Sequence, residues 1–289
     1  MNDSMNEKEE ERSSVMTKPL VRVVFGDSRD MHEIPDESVG LVVTSPPYFN
    51  APHDYPGLFR DYDEFLDMIR GVFKEICRVL EKGRVAVLVV SDVRVDGVLY
   101  PIVADVIHVM RDLGMKYQER IIWKKPEGFI RVSRRSGVLL QHPFPLYFYP
   151  DHVYEDVLVF KKPGRPTVRN KEESKVNLAR FQREKWYMNL WEIANVSPGN
   201  PITKLTSPFP EDLVTRIITL YSYVGDTVLD PFLGSGTTLL VARNMGRHAI
   251  GYELNLGLED LIMRRVGSSL VQKREDARTL DTQPRKTPA

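Results

Sequence analysis

Apolar positions along the chain follow two spacings. Short, β-rich runs fall at Val21–Phe25, Gly40–Val43, Arg84–Val90, Tyr117–Trp123, Asp156–Phe160, Thr227–Leu229 and His248–Tyr252. These predict seven strands, several apolar at every position, as expected of a sheet covered on both faces. Between them the period changes. Phe65, Met68, Ile69, Val72, Phe73, Ile76, Val79 and Leu80 share one helical face and predict a helix over Asp61–Leu80, stopped at Gly83. Pro101–Leu113 opens on proline and closes at Gly114, and Glu211–Tyr221 follows Pro210. Thr237–Met245 and Leu256–Val266 complete the predicted helices. The alternation of strand and helix predicts an α/β fold, a doubly wound and mostly parallel seven-stranded sheet with helices on both faces. Polar ends flank it: residues 1–18, with the acidic run Glu9–Glu11, read as a disordered tail, and 274–289 as a flexible one. The folded domain is expected over 19–273.

Composition narrows the function classes. Among 289 residues there is one cysteine, Cys77, which excludes an intrachain disulfide framework and a multi-cysteine zinc site. No apolar run reaches membrane-spanning length, and the N-terminus lacks a signal-peptide pattern, so a cytoplasmic protein with no membrane partner is expected. The six histidines, at positions 32, 53, 108, 142, 152 and 248, show no metal-ligand spacing, and no metal is expected.

Lysine and arginine total 40 and so do aspartate and glutamate, but the balance is local. From Met115 to Lys185 there are 16 basic and 8 acidic residues. A basic middle in a neutral chain fits either a phosphate-contacting surface or a solvated, charge-rich linker.

Ligands of doubly wound sheets collect beyond the carboxyl ends of the strands. One candidate there is the turn Asp230-Pro231-Phe232-Leu233-Gly234-Ser235-Gly236-Thr237-Thr238. Its glycines permit close backbone approach, and the following helix presents unpaired N–H groups. It lacks the lysine of a phosphate-binding P-loop, and Leu239 occupies the third glycine position of the dinucleotide pattern. Glu253 ends the next strand, 17 residues after Gly236, where an acid accepts hydrogen bonds from ribose hydroxyls. A nucleoside carrying a carboxylate fits better than one carrying a pyrophosphate.

The second candidate is Thr44-Ser45-Pro46-Pro47-Tyr48. Two prolines stiffen the loop and leave carbonyls unengaged. The Ser45 hydroxyl, the Pro46 carbonyl and the Tyr48 ring together suit a planar base bearing an exocyclic amine.

In combination these motifs resemble the amino-methylating DNA methyltransferases that use S-adenosylmethionine, in the group whose catalytic motif precedes the cofactor motif. The catalytic tetrapeptide is Ser45-Pro46-Pro47-Tyr48 and the cofactor motif is Asp230–Thr238. Further matches are Gly26-Asp27-Ser28, Ile122-Trp123-Lys124-Lys125-Pro126, Val159-Phe160-Lys161-Lys162, Trp191-Glu192-Ile193 and Phe209-Pro210-Glu211-Asp212-Leu213. The resemblance spans about Val21 to Arg265 and implies a Rossmann-like, circularly permuted methyltransferase fold. One departure is Asn200-Pro201, where the family often has His-Pro.

The resemblance implies the following roles. Asp27, Thr44, Asp230, Phe232, Gly234, Ser235, Gly236, Thr237 and Glu253 would form the cofactor site, with Asp27 on the adenine amine and Glu253 on the ribose. Ser45, Pro46, Pro47 and Tyr48 would be catalytic. Serine in the tetrapeptide is typical of enzymes making N4-methylcytosine; adenine N6 and a structured RNA remain open as targets. A nucleotide-binding oxidoreductase and a silent nucleic-acid-binding module are the readings from other classes. Double-stranded DNA is the expected partner, a cognate restriction endonuclease a further one, and a monomer or a homodimer is compatible. Residues 126–190 would hold the target-recognition region. Lys124, Lys125, Arg131, Arg134, Arg135, Arg165, Arg169 and Lys171 are its expected DNA contacts. Ring-carbon methylation of cytosine needs a thiolate, and Cys77 lies on an amphipathic helix, where core packing is its expected role.

Overall fold

The computed structural model describes residues 18–50, 57–126, 141–148, 150, 152–196, 200, 202, 206–267 and 269–280. In chain order the elements are β1 (Val21–Phe25), β2 (Val39–Thr44), α1 (Tyr62–Val79), β3 (Leu80–Val90), β4 (Val93–Val95), β5 (Val98–Tyr100), α2 (Ile102–Asp112), β6 (Lys116–Lys124) and β7 (Tyr154–Lys161). They continue with α3 (Leu178–Arg183), β8 (Leu190–Glu192), α4 (Glu211–Tyr221), β9 (Thr227–Asp230), α5 (Thr237–Asn244), β10 (His248–Glu253), α6 (Glu259–Val266) and β11 (Leu270–Lys273).

All seven expected strands form, and the sheet extends them. Its order is β11-β1-β10-β9-β2-β3-β7-β6-β8, nine strands in place of seven, because short strands add to both edges. Only β7 runs against the rest: it pairs antiparallel with β3 and β6, while the other neighbouring pairs are parallel. The carboxyl ends of the other eight strands therefore share one edge. A separate hairpin joins β4 and β5 through Asp96 and Gly97, both at positive φ.

The core lies on both faces, as double winding requires. Ala86, Leu88 and Val90 of β3 point toward α1 and α2, while Val85, Val87 and Val89 point toward α4, α5 and α6. Helix α1 is capped by the Asp61 side chain, which accepts from Glu64 N, and buries Phe65, Ile69, Val72, Phe73, Ile76 and Val79. Each of those apolar side chains contributes roughly 1.5–3 kcal/mol on burial. The helix passes into β3 at Leu80 with no loop between, so Gly83 lies inside the strand rather than ending the helix. Its positive φ of 75° and the backbone of Arg165 and Pro166, 2.5 and 2.3 Å from where a Cβ would stand, demand glycine. That contact fixes the chain after β7 against the amino end of β3.

The stretch from Arg274, expected to be frayed, is fastened as far as Leu280. Arg274 N donates to Phe25 O at 2.8 Å, Asp276 accepts from Asp27 N at 3.1 Å, and Leu280 N donates to Asn255 Oδ1 at 3.0 Å. The expected N-terminal tail through Thr17 and residues 281–289 lie outside the described residues. Among the described residues no helix is long and apolar enough to cross a membrane, and no acidic, histidine or cysteine group could hold a metal ion.

Candidate active site

Four parallel strands deliver the predicted residues to one edge of the sheet. Strand β2 ends at Thr44, β9 at Asp230, β10 at Glu253, and β1 leads into Gly26 and Asp27. Their order, β1-β10-β9-β2, places the cofactor motif directly beside the catalytic loop.

The junction between the two is a buried hydrogen bond. Thr44 Oγ1 donates to Asp230 Oδ1 at 2.6 Å, and Phe232 N donates to the same oxygen at 3.1 Å. Burial pushes the Asp230 carboxyl up to about 6, against hydrogen bonds that favour its charged form. Beyond Asp230 the glycine turn is held from below. Gly234 N donates to Glu253 Oε2 and Asn255 N to Glu253 Oε1, both at 2.8 Å. Each carboxylate oxygen keeps a lone pair for a further donor.

The two turn glycines differ in what surrounds them. Gly234, at φ 53°, has nothing within 4 Å of where a Cβ would project, whereas a Cβ on Gly236, at φ 83°, would meet Val266 Cγ2 at 2.5 Å. Gly236 caps α5 without a side-chain hydrogen bond, which leaves N–H groups of the first turn available. Leu239, in place of a third glycine, is fully buried and packs toward Gly251. An open space at Gly234, an acid beneath it and an uncapped helix start fit S-adenosylmethionine.

Asp27 is more occupied than expected. Arg29 donates to its two carboxylate oxygens at 2.5 to 3.0 Å. Burial pulls the Asp27 carboxyl upward, but the hydrogen bonds and charge of Arg29 outweigh it and hold the group below the ordinary range. Arg265 adds to the expected set. From α6 it donates to Ser235 O and Ser235 Oγ at 2.8 Å and to Thr237 Oγ1 at 3.2 Å. It thereby fixes both hydroxyls of the turn. A lone arginine on a surface-like helix carries no sequence signal for that.

In the catalytic loop, Pro46 is buried and Ser45, Pro47 and Tyr48 are half-buried. Ser45 Oγ has no protein hydrogen bond among the described residues. The loop is anchored downstream: Phe49 packs on Phe65 and Tyr100, and the Asn50 side chain both donates to Phe59 O and accepts from Phe59 N. Tyr48 OH donates to Glu155 Oε2 at 2.9 Å.

The expected DNA contacts are scattered. Lys124 is half-exposed at the carboxyl edge, 3.4 Å from Glu192. Lys125 is drawn inward onto Glu155 at 2.5 Å. Arg165, Arg169 and Lys171 follow β7 at the opposite, amino edge, so they do not meet the catalytic loop. Arg169 bonds Glu81 at 2.8 Å, and the neighbouring Asn170 donates to Val224 O. From Arg84 to Val90 the sheet is roughly 20 Å high, which sets the distance between the two edges. The rest of that segment is also packed: Trp186 is buried between the guanidiniums of Arg180 and Arg216. Arg131, Arg134 and Arg135 lie outside the described residues. Cys77 is half-buried against the core, and burial pushes its thiol up to about 11, as a packing role predicts.

Residues 39–264 match the family model for DNA methylases of the N6/N4 group. The chain belongs to this family. The methylase is 31% identical to the type II methyltransferase M.MjaI of Methanocaldococcus jannaschii, over 88% of this chain and 92% of that protein. It is 33% identical to M.MthZI of Methanothermobacter thermautotrophicus, over 88% and 78% of the two chains. Among solved structures, a DNA modification methylase from Thermus thermophilus, TTHA0409, in complex with S-adenosyl-L-methionine superposes with a TM-score of 0.68 at 32% identity, covering 89% of this methylase and all of that chain. The DNA methylase family and the α/β fold expected from the motifs are thus both found.

Proposed function

We propose that this DNA methylase uses S-adenosylmethionine to methylate the exocyclic N4 of a cytosine flipped out of double-stranded DNA. The observation that carries the reading is Ser45, an unpartnered hydroxyl on a proline-stiffened loop that hydrogen-bonds through Thr44 to the cofactor strand. When bound, the cofactor supplies an electrophilic methyl group. Glu253 holds the ribose hydroxyls, Asp27 the adenine amine, and the turn from Phe232 through Gly234, Ser235, Gly236 and Thr237 shapes the carboxylate end. Ser45 Oγ and the Pro46 carbonyl accept the two hydrogens of the target amine. That draws the nitrogen lone pair out of conjugation with the ring and aims it for direct displacement. Pro47 fixes the loop, and Tyr48 stacks on the extruded base. Alignment and fixed dipoles supply the rate enhancement, and no covalent enzyme intermediate is required. Lys124, with Arg131, Arg134 and Arg135, meets the DNA backbone.

Adenine N6 is the second reading, because the family spans both amines and the same acceptor pair serves either. The test is incubation with labelled cofactor and mixed-sequence DNA or RNA, then digestion to nucleosides and mass spectrometry. N4-methylcytosine from DNA is expected. N6-methyladenine would establish the second reading, and a methylated RNA base or no methylated base would sink the DNA assignment. The type II relatives point to a companion restriction endonuclease recognising the same sequence.

A further inference from the structure

Stacking on a base needs only the Tyr48 ring, yet its hydroxyl is engaged. Tyr48 OH donates to Glu155 Oε2 at 2.9 Å, and Lys125 Nζ donates to Glu155 Oε1 at 2.5 Å. The Lys125 and Glu155 side chains are each only 16% exposed, so solvent screens the pair little. Both stand on rigid supports. Glu155 is in β7, and Lys125 directly follows β6, its N–H donating to Val153 O at 2.9 Å. The Lys125 ammonium lies 5.1 Å over the Trp123 ring, which is pinned by its Nε1 donating to Ile193 O at 2.8 Å. Two strands on the far side of β3 thus reach across to the tip of the catalytic loop.

We propose that Glu155 and Lys125 are positioning residues for Tyr48. The carboxylate grips the phenol and fixes the plane in which the ring meets the extruded base. The ammonium neutralises that carboxylate, which would otherwise repel phosphates at a DNA-facing edge. Lys125 therefore directs its charge inward and is not one of the phosphate contacts expected from the sequence. The inference rests on the stacking role given to Tyr48 above.

The test is a double-mutant cycle on methyl incorporation into DNA, with cofactor affinity, melting temperature and the salt dependence of DNA binding measured alongside. Glu155→Gln and Tyr48→Phe should each lower kcat roughly ten-fold, the size of one charge-assisted hydrogen bond. Cofactor Kd and melting temperature should not move. The double variant should fall no further than either single one, because each removes the same interaction. Lys125→Met should lower kcat while leaving the salt slope of DNA binding unchanged, whereas loss of a phosphate contact would reduce that slope by about 0.9. Multiplying losses in the double variant, full turnover in Tyr48→Phe, or a reduced slope in Lys125→Met would each overturn the proposal. If wild-type protein methylates DNA and Glu155→Gln does so equally well, the relay alone fails. If wild-type protein methylates no base, the stacking role and the relay fail together.

Discussion

Thr44 and Asp230 end adjacent parallel strands 186 positions apart in sequence, and a buried hydrogen bond of 2.6 Å joins them. One residue belongs to the loop that holds the target amine and the other to the turn that holds the methyl donor. The spacing of donor and acceptor is thus set by two neighbouring strands rather than by flexible loops, as in-line transfer requires.

The state of Asp230 gives a pH signature. Its folded pKa, about 6, exceeds the ordinary value of 3.8. Between those values the native protein binds a proton that the unfolded chain has lost, so this residue's contribution to stability falls as pH rises from about 4 to 6 and is constant above. Asp230→Asn retains an Oδ1 for Thr44 and Phe232 but cannot ionise. The wild-type melting temperature, relative to this variant, should drop by several degrees from about pH 4 to about 6.5 and then level. Parallel curves for the two proteins across that range would refute the elevated pKa.

The turn glycines should separate stability from binding. Gly236→Ala meets both a positive φ and the Val266 methyl, and should cost about 2–4 kcal/mol in thermal or denaturant unfolding. Gly234→Ala meets only the φ penalty of about 1–2 kcal/mol, but its methyl enters the open space assigned to the cofactor. Calorimetric affinity for S-adenosylmethionine should therefore fall roughly ten-fold or more in Gly234→Ala, a steric exclusion in a close-packed site. Unchanged affinity would show that the cofactor does not approach that face.

How much of this was legible in the sequence differs from element to element. The seven central strands are apolar on both faces, so periodicity and length found them. The edge strands β8 and β11 are three and four residues long and mostly exposed, and their identity comes from pairing with β6 and β1. The β4–β5 hairpin did carry a signal, since Asp96-Gly97 between Val95 and Val98 is a two-residue turn favoured by strand twist. For the site, residues beside a strand end or a glycine turn were legible because backbone position dictates them. Arg265, Glu155 and the inward role of Lys125 were not, because each acts through a partner at least 28 positions away. Arg165, Arg169 and Lys171 looked basic enough for DNA, but β7 runs antiparallel and carries the chain after it to the wrong edge.

Ser45 and Glu253 should divide the kinetics. Ser45→Ala removes an acceptor from the target amine and should lower kcat by about 10- to 100-fold with little change in cofactor Kd. Glu253→Gln loses the charge and one acceptor beneath the ribose, and it disturbs the bonds from Gly234 and Asn255. Cofactor Kd should rise roughly ten-fold or more in that variant. Equal loss of cofactor affinity in both would contradict the division of the site into two halves.

Asp226 and Arg169 test the relocation of the basic segment to the amino edge. The Asp226 carboxylate is fully buried. It accepts from Arg84 at 2.9 Å and from Tyr223 N at 2.7 Å, and lies 3.4 Å from Arg169. Asp226→Ala strands the buried Arg84 guanidinium and should destabilise the fold by about 3–5 kcal/mol. Arg169, 43% exposed, contributes a screened ion pair, so Arg169→Gln should cost only about 0–1 kcal/mol. The decisive measurement is DNA affinity of Arg169→Gln against salt concentration. An unchanged slope is expected because roughly 20 Å of sheet separates Arg169 from the catalytic loop. A slope reduced by about 0.9 would return Arg169 to the DNA-binding surface.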